Sequence, residues 1–328
     1  MSLSRRTLVA LGALPALGAT ASLGQTPEAS WPSRPVRVVI PFPPGSTPDT
    51  AGRAVASHFA KVFGQPFVPE NRPGAGGTTG TEAVAKATDE HTIGVSINAP
   101  LSTAKALYPS LGYDPVKDLA PVSLLVRGAQ VLVTHPNVPA QDLQGFIAHA
   151  KANPGKLTYG SVGQGSGAHL AMADLMARAG LDMVHVPYRG FPPAVLDLVA
   201  GRIDAMFVVS AGILQQVQSG QARALAVTAD SRIPQAPSVP TLAEAGIRGA
   251  SSYAWIGLVA PAATPPARVA RLSEEAKRGL DEPQTRAALE RSGFEVVTGS
   301  PGEFAGFIAA ETERWGGLIT RLGIKAEG

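Results

Sequence analysis

The chain has 328 residues, enough to bury a large core and to form two lobes. Its formal net charge of +3 falls to +1 once Arg5 and Arg6 are removed with the N-terminal segment, which excludes a binder of nucleic-acid polyanions. It contains no cysteine, so disulfides and cysteine-ligated zinc are excluded as well.

The first residues, MSLSRRTLVALGALPALGATASLGQ, combine a charged start, an apolar stretch from Leu8 to Leu17 and small residues at Ala19 and Ala21. That three-part pattern predicts a cleaved export signal over residues 1–21, with the mature chain starting near Ser22. Ser4-Arg5-Arg6-Thr7-Leu8 resembles a twin-arginine export signal. The apolar run is short and broken by Pro15, which argues against a membrane anchor.

Short apolar runs then alternate with helical patterns, which predicts an α/β fold with mostly parallel sheets flanked by helices. VRVVI (Val36 to Ile40) reads as a buried strand, Pro48–Phe63 as a helix, and a short strand is expected near Phe67. A helix from Gly77 to Ala87 and a strand at Thr92–Ser96 complete the first group. The second group starts with strand Gln130–Thr134 and a helix that ends at Asn153-Pro154-Gly155. It continues with LTYGS, a helix from about Ser166, MVHVPY, a helix opening at Pro192-Pro193, AMFVV and ALAVTA. The final third holds strand WIGLVA, a helix after Pro265-Pro266, another near Thr285–Ser292, a short FEVV strand and a last helix through Trp315. This tail has too few strands for a sheet of its own, so it is expected to return to the first lobe. Chain crossings are placed near Pro121–Val126 and Ser251–Ala254. The resulting division is 26–126 plus 252–328 as a discontinuous domain and 127–251 as a second, the geometry of a hinged cleft.

Three helix starts share one design. PFPPGSTPDT places prolines before Pro48, ENRPGAGGTTG bares Gly74, Gly76 and Gly77, and YGSVGQGSG supplies Ser161, Gly163, Gly165 and Ser166. Helix N-termini offer free N–H groups and a positive dipole end, glycines allow close approach, and Thr78, Thr79 and Ser166 add hydroxyls. Each loop alone also reads as an ordinary αβ turn. Three together point to one site for an anion or a polar ligand.

Other chemistries fail on context. Gly163-x-Gly165-x-x-Ala168 approximates a dinucleotide fingerprint, but the next strand ends in Tyr188-Arg189 rather than an acidic residue. GAGGTTGTE lacks the Gly-Lys-Ser/Thr of a P-loop, and neither Ser161 nor Ser166 sits in a Gly-x-Ser-x-Gly elbow. The six histidines form no ligand pair, so no metal or cofactor is expected. Asp49 reads either as a ligand contact or as an acid complementing its helix dipole. Arg189 is the best cationic candidate, or else a solvated loop arginine. His169 lies in the first turn of its helix, within reach of a ligand or satisfied there.

RPVRVVIPFPPGSTPDTAGR, ENRPGAGGTTGTEAVAKA, YGSVGQGSGAHLAMADL, HVPYRGFPPAVLDLVAGRIDAMF and the LAVTADSR and APSVPTLAEAG segments resemble the tripartite tricarboxylate transporter substrate-binding proteins, the Bug/TctC family. The resemblance covers the mature chain in order. It implies a two-lobe periplasmic binding protein fold of type II-like form with two crossover strands. It also implies a periplasmic monomer that closes over a small carboxylate and serves membrane permease subunits. The contacts it implies are Phe42, Gly45, Ser46, Asp49, Gly76, Gly77 and Thr78 from the first lobe. From the second they are Ser161, Gly165, Ser166, His169, Tyr188 and Arg189. Two departures stand out. Gly45-Ser46 replaces the usual Gly-Gly and adds a hydroxyl, and Thr88-Asp89-Glu90-His91 replaces Pro-Asp-Gly-Tyr.

Two further functions fit the same residues. One is an exported α/β enzyme acting on carboxylates, with Asp49 or His169 as acid or base. The other is a sensory receptor that signals to a membrane partner.

Overall fold

The structure is a computed structural model and describes residues 31–108 and 110–325. The expected export signal and the mature N-terminus near Ser22 lie outside the described residues. Two sets of parallel strands are joined through a long antiparallel centre. Strand β1 (Val36–Ile40) leads into helix α1 (Thr47–Phe63), β2 (Phe67–Asn71), α2 (Thr78–Ala85) and β3 (Thr92–Ile97). A π turn over Ala99–Thr103 runs into the short α3 (Ala104–Leu107), and then β4 (Leu119–Thr134) begins. The second lobe follows as α4 (Leu143–Ala152), β5 (Thr158–Ser161), α5 (Gly167–Ala179), β6 (Val184–Pro187) and α6 (Phe191–Val199). It ends with β7 (Ala205–Val209), α7 (Leu214–Gln218) and β8 (Arg223–Val227). The chain returns as β9 (Tyr253–Pro261), α8 (Pro266–Asp281), α9 (Pro283–Arg291), β10 (Glu295–Val296) and α10 (Pro301–Leu322).

The strand order is β2-β1-β3-β9-β4-β7-β5-β6, with β8 and β10 also on β4. β1 pairs with β2 and β3 in parallel, as β5 does with β6 and β7, in keeping with connections through helices. The ladders made by β4 and β9 are antiparallel. β4 pairs with β9 from Leu119 to Ala129 and with β7 from Gln130 to Thr134, so one strand serves both lobes. The exchange of partners falls between Ala129 and Gln130. There the two chain crossings are tied together. Gln130 N–H donates to Thr228 Oγ1 at 3.0 Å, and Thr228 Oγ1 donates to the Ser252 carbonyl at 2.6 Å.

The sequence builds each lobe as a covered sheet. β1 buries its four apolar residues around a half-buried Arg37, and Val38, Ile40, Val55, Phe59 and Leu272 pack β1, α1 and α8 together. In the second lobe Leu132, Phe146, Leu175 and Phe207 fill one face of the sheet, and Val131, Val133, Leu198 and Met206 the other. Burial on both faces explains why these strands read as continuous apolar runs rather than alternating ones. A third contact joins the lobes: Leu107 and Leu170 pack with Trp315, Leu318 and Ile319 of α10.

α1 starts one residue earlier than the sequence reading. Ser46, not Thr47, holds the N-cap position, and its side chain makes no capping bond. Glu90 stands where the family pattern has glycine and takes φ +54°, a conformation that favours glycine.

Candidate ligand-binding site

A cavity of about 190 Å³ opens where the carboxyl ends of the strands from both lobes meet, the usual place for ligands in α/β sheets. Three helix starts face it: Ser46–Pro48 of α1, Ser166–Ala168 of α5 and Gly190–Pro192 of α6. Phe42, Ile97, Val162, Phe191, Val209, Ile256 and Phe294 supply apolar wall, while Asn98, Gln130 and Ser292 add neutral polar groups. Among the described residues, no acidic, basic or histidine side chain lines the cavity.

The helix starts are unequal donors. Every first turn leaves N–H groups without intrahelical acceptors, but proline has none to offer. α6 has Pro192 and Pro193 in that turn, and α1 has Pro48, whereas Gly167 and Ala168 of α5 keep theirs. The α5 start is therefore the strongest anion seat, and α6 serves mainly as wall. Phe191 packs against the cores of both lobes.

Of the residues expected from the sequence, Phe42, Gly45, Ser46 and Ser166 line the cavity. The others have different surroundings. Asp49 is buried and turned to its own loop: it accepts from Gly45 N–H at 2.9 Å, Asn71 Nδ2 at 2.8 Å and Arg53 Nε at 2.9 Å. Burial pushes its pKa up, but the bonds from Arg53, Asn71 and Gly45 outweigh that and hold it below the usual carboxylate value. Asn71 also donates to the Phe42 carbonyl at 2.8 Å, so Asp49 and Asn71 together fix the loop that presents Ser46.

Gly76, Gly77 and Thr78 lie outside the cavity lining. A Cβ on Gly77 would meet Phe42 at 3.1 Å and Pro100 at 3.2 Å, so the α2 start buttresses the cavity wall from behind. Thr78 Oγ1 donates to the Ala75 carbonyl at 2.8 Å. Gly76 faces the second lobe: a Cβ built on Gly163 would stand 3.3 Å from Gly76 Cα. Gly165 is in the same seam, where its carbonyl accepts from Thr103 Oγ1 at 3.1 Å. These glycines let the lobes touch.

Ser161 and His169 belong to a buried stack beneath the α5 start. Ser161 Oγ and His185 Nε2 are 2.7 Å apart, and His169 Nδ1 accepts from Gly165 N–H at 3.1 Å. The His169 and His185 rings stack with centroids 4.3 Å apart, and Tyr159 stacks on His185 at 4.9 Å. Burial, then the charge of His185, pushes the His169 pKa down to about 3, and burial pushes His185 down to about 4. Both rings are neutral at pH 7. Tyr188 donates to Asp197 Oδ2 at 2.7 Å, and burial followed by that carboxylate pushes its pKa up to about 12. Arg189 is exposed and outside the cavity lining.

The sequence reading did not single out Gln130, Asn98, Trp255 or the α6 start. Gln130 left one signal, a lone amide just before the apolar run Val131–Val133.

A family profile described as "Tripartite tricarboxylate transporter family receptor" matches residues 51–324. The chain belongs to that family. This receptor is 36% identical over 298 residues to Protein BugT of Bordetella pertussis, covering 90% of this chain and 91% of that one. Its fold matches R. palustris Rpa4515 with adipate at a TM-score of 0.84 and 31% identity, covering 90% of this chain and 100% of that one. It matches MatC of Rhodopseudomonas palustris with bound malate at a TM-score of 0.82 and 34% identity, covering 88% and 99%. The two-lobe binding-protein fold expected from the sequence is thus the receptor's fold. No helix among its described residues is long and apolar enough to cross a membrane.

Proposed function

We propose that this receptor captures a compact carboxylate between its lobes in the periplasm and delivers it to the permease subunits of a tripartite tricarboxylate transporter. The observation that carries the reading is a cavity flanked by helix N-termini and lined, among the described residues, by no charged side chain. Main-chain donors and the positive ends of α1 and α5 suit a carboxylate, and each charge-assisted hydrogen bond contributes about 1.5–3 kcal/mol. Two relatives of like fold carry adipate and malate, which supports the same ligand class here. The ligand-contacting set is Phe42, Gly45, Ser46 and Ser166 with Gly167 and Ala168, while Asp49 holds the first loop in place. Residues 26–126 with 252–328, and residues 127–251, act as the two domains that close on the ligand. The export signal over residues 1–21 is removed, and the mature protein works as a monomer.

The reading is of a binder rather than an enzyme. Asp49 is engaged by Gly45, Arg53 and Asn71, and His169 by Gly165, so neither acid–base candidate faces the cavity with a free group. A thermal-shift screen of mono-, di- and tricarboxylates tests this. A ligand at 100 times its dissociation constant stabilises by about 2.7 kcal/mol. At least one acid should raise the melting temperature and be recovered unchanged by mass spectrometry. A screen without any shift, or conversion of the acid to product, overturns the reading.

A further inference from the structure

Gln130 is fully buried and lines the cavity, yet neither its amide oxygen nor its amide nitrogen has a partner among the described residues. Its main chain is satisfied, with N–H on Thr228 Oγ1 and C=O accepting from Thr228 N–H. Only the side chain is left over. Buried amides are almost always paired because an unmet one carries the full loss of its hydration. Exchanging the oxygen and nitrogen changes nothing, since both lack partners.

The neighbouring amide behaves differently. Asn98 Oδ1 accepts from Trp255 N–H at 3.2 Å, and its Nδ2 donates to the Tyr253 carbonyl at 3.3 Å. Asn98 is therefore committed to the fold. Gln130 points at the strongest anion seat: its Nε2 is 3.5 Å from where a Cβ on Gly167 would stand.

From these observations we infer that Gln130 is the specificity-determining residue of the receptor and reads a ligand edge that carries a hydrogen-bond donor beside an oxygen acceptor. A carboxamide presents one acceptor and two donors. A plain carboxylate has acceptors alone and would set its oxygen against Gln130 Oε1. A 2-hydroxycarboxylate or a carboxamide satisfies both atoms at once. Sites built to pair a polar group reject analogues that lack it, because the buried partner is then left bare. The inference rests on the carboxylate reading above and names the substrate class within it.

Titration calorimetry on matched acids of two lengths tests it. One set is succinate, 2-hydroxysuccinate and succinamate; the other is adipate, 2-hydroxyadipate and adipamate. Wild type should prefer the hydroxy or the amide member to the plain diacid by tenfold or more, and the better of the two identifies the donor. Gln130→Leu should bring that preference to within about twofold. It should also raise the melting temperature of the unliganded protein by about 2–4 °C, because two bare polar atoms are gone. Thr134→Val removes a different unpartnered buried polar group, a hydroxyl on the same strand outside the cavity lining. It should leave the preference intact. A preference kept by Gln130→Leu, erased equally by Thr134→Val, or absent from a wild type that binds the acids overturns the assignment while the carboxylate reading stands. Failure of folded wild type to bind any carboxylate overturns both.

Discussion

His169 shows how a residue at the edge of the site can govern stability without touching the cavity. Its ring is neutral in the fold because burial and then His185 hold its pKa at about 3, far below the ordinary 6.5. In the unfolded chain it takes up a proton below pH 6.5, so the unfolded state binds more protons and stability falls as pH falls. The stabilisation is fully present above pH 6.5 and is lost progressively down to about pH 3. The slope for one such group is up to about 1.4 kcal/mol per pH unit. Melting temperatures should therefore drop between pH 7 and pH 5. His169→Gln, which can still accept from Gly165, should show a shallower slope even if it starts lower. Parallel slopes for the two proteins would remove His169 from the acid response.

The residues around the site were unevenly legible in the sequence. Ser46 and Ser166 stand at helix starts, and a helix start is a local pattern of prolines, glycines and hydroxyls. Gln130 and Trp255 meet across 125 positions of chain, and no local pattern encodes that.

Among the elements, β7 was readable as one buried apolar run, β1 as an apolar run around a single arginine, and α1 from buried residues recurring at helical spacing behind a proline start. β4 was not read as one strand. Its first part pairs with β9 and its last with β7 and β8, and the register shifts near Pro121 and Leu124 break its pattern. The loop before α5 carries its own test. Gly165 has φ +70°, and a Cβ there would come within 2.2 Å of Leu107 Cδ1 and 2.9 Å of Thr103 Oγ1. Gly165→Ala should hold the lobes apart and weaken ligand binding at least tenfold, about 1.4 kcal/mol. Trimming the obstacle should help: Leu107→Ala combined with Gly165→Ala should recover part of the affinity, a coupling read by a double-mutant cycle. Strict additivity would mean that backbone strain at φ +70°, not the Leu107 contact, is at fault.

At the scale of the molecule, two crossings are tied through Gln130, Thr228 and Ser252, and the lobe closure proposed above would turn about them. The opposite seam is held by Gly76 against Gly163 and by Thr103 on Gly165, contacts that whole-lobe rotation would separate. Small-angle scattering should give a smaller radius of gyration with saturating carboxylate than without. An unchanged radius with binding shown by calorimetry would mean that ligand enters a cleft that is already shut.

Trp255 stands in the cavity wall, and its indole N–H donates to Glu311 at 2.8 Å. The same carboxylate oxygen also accepts from Trp315 Nε1 at 3.1 Å. Trp31, the remaining tryptophan, lies instead among Phe63, Phe67 and His91. Two of the three indoles thus share one carboxyl group, with Trp255 in the cavity wall and Trp315 behind it, while the third is packed elsewhere in the first lobe. Intrinsic fluorescence becomes a built-in optical reporter, with Trp31 as a steady background and the Trp255–Trp315 pair as the signal. Stopped-flow mixing can then time capture and release on the unlabelled protein.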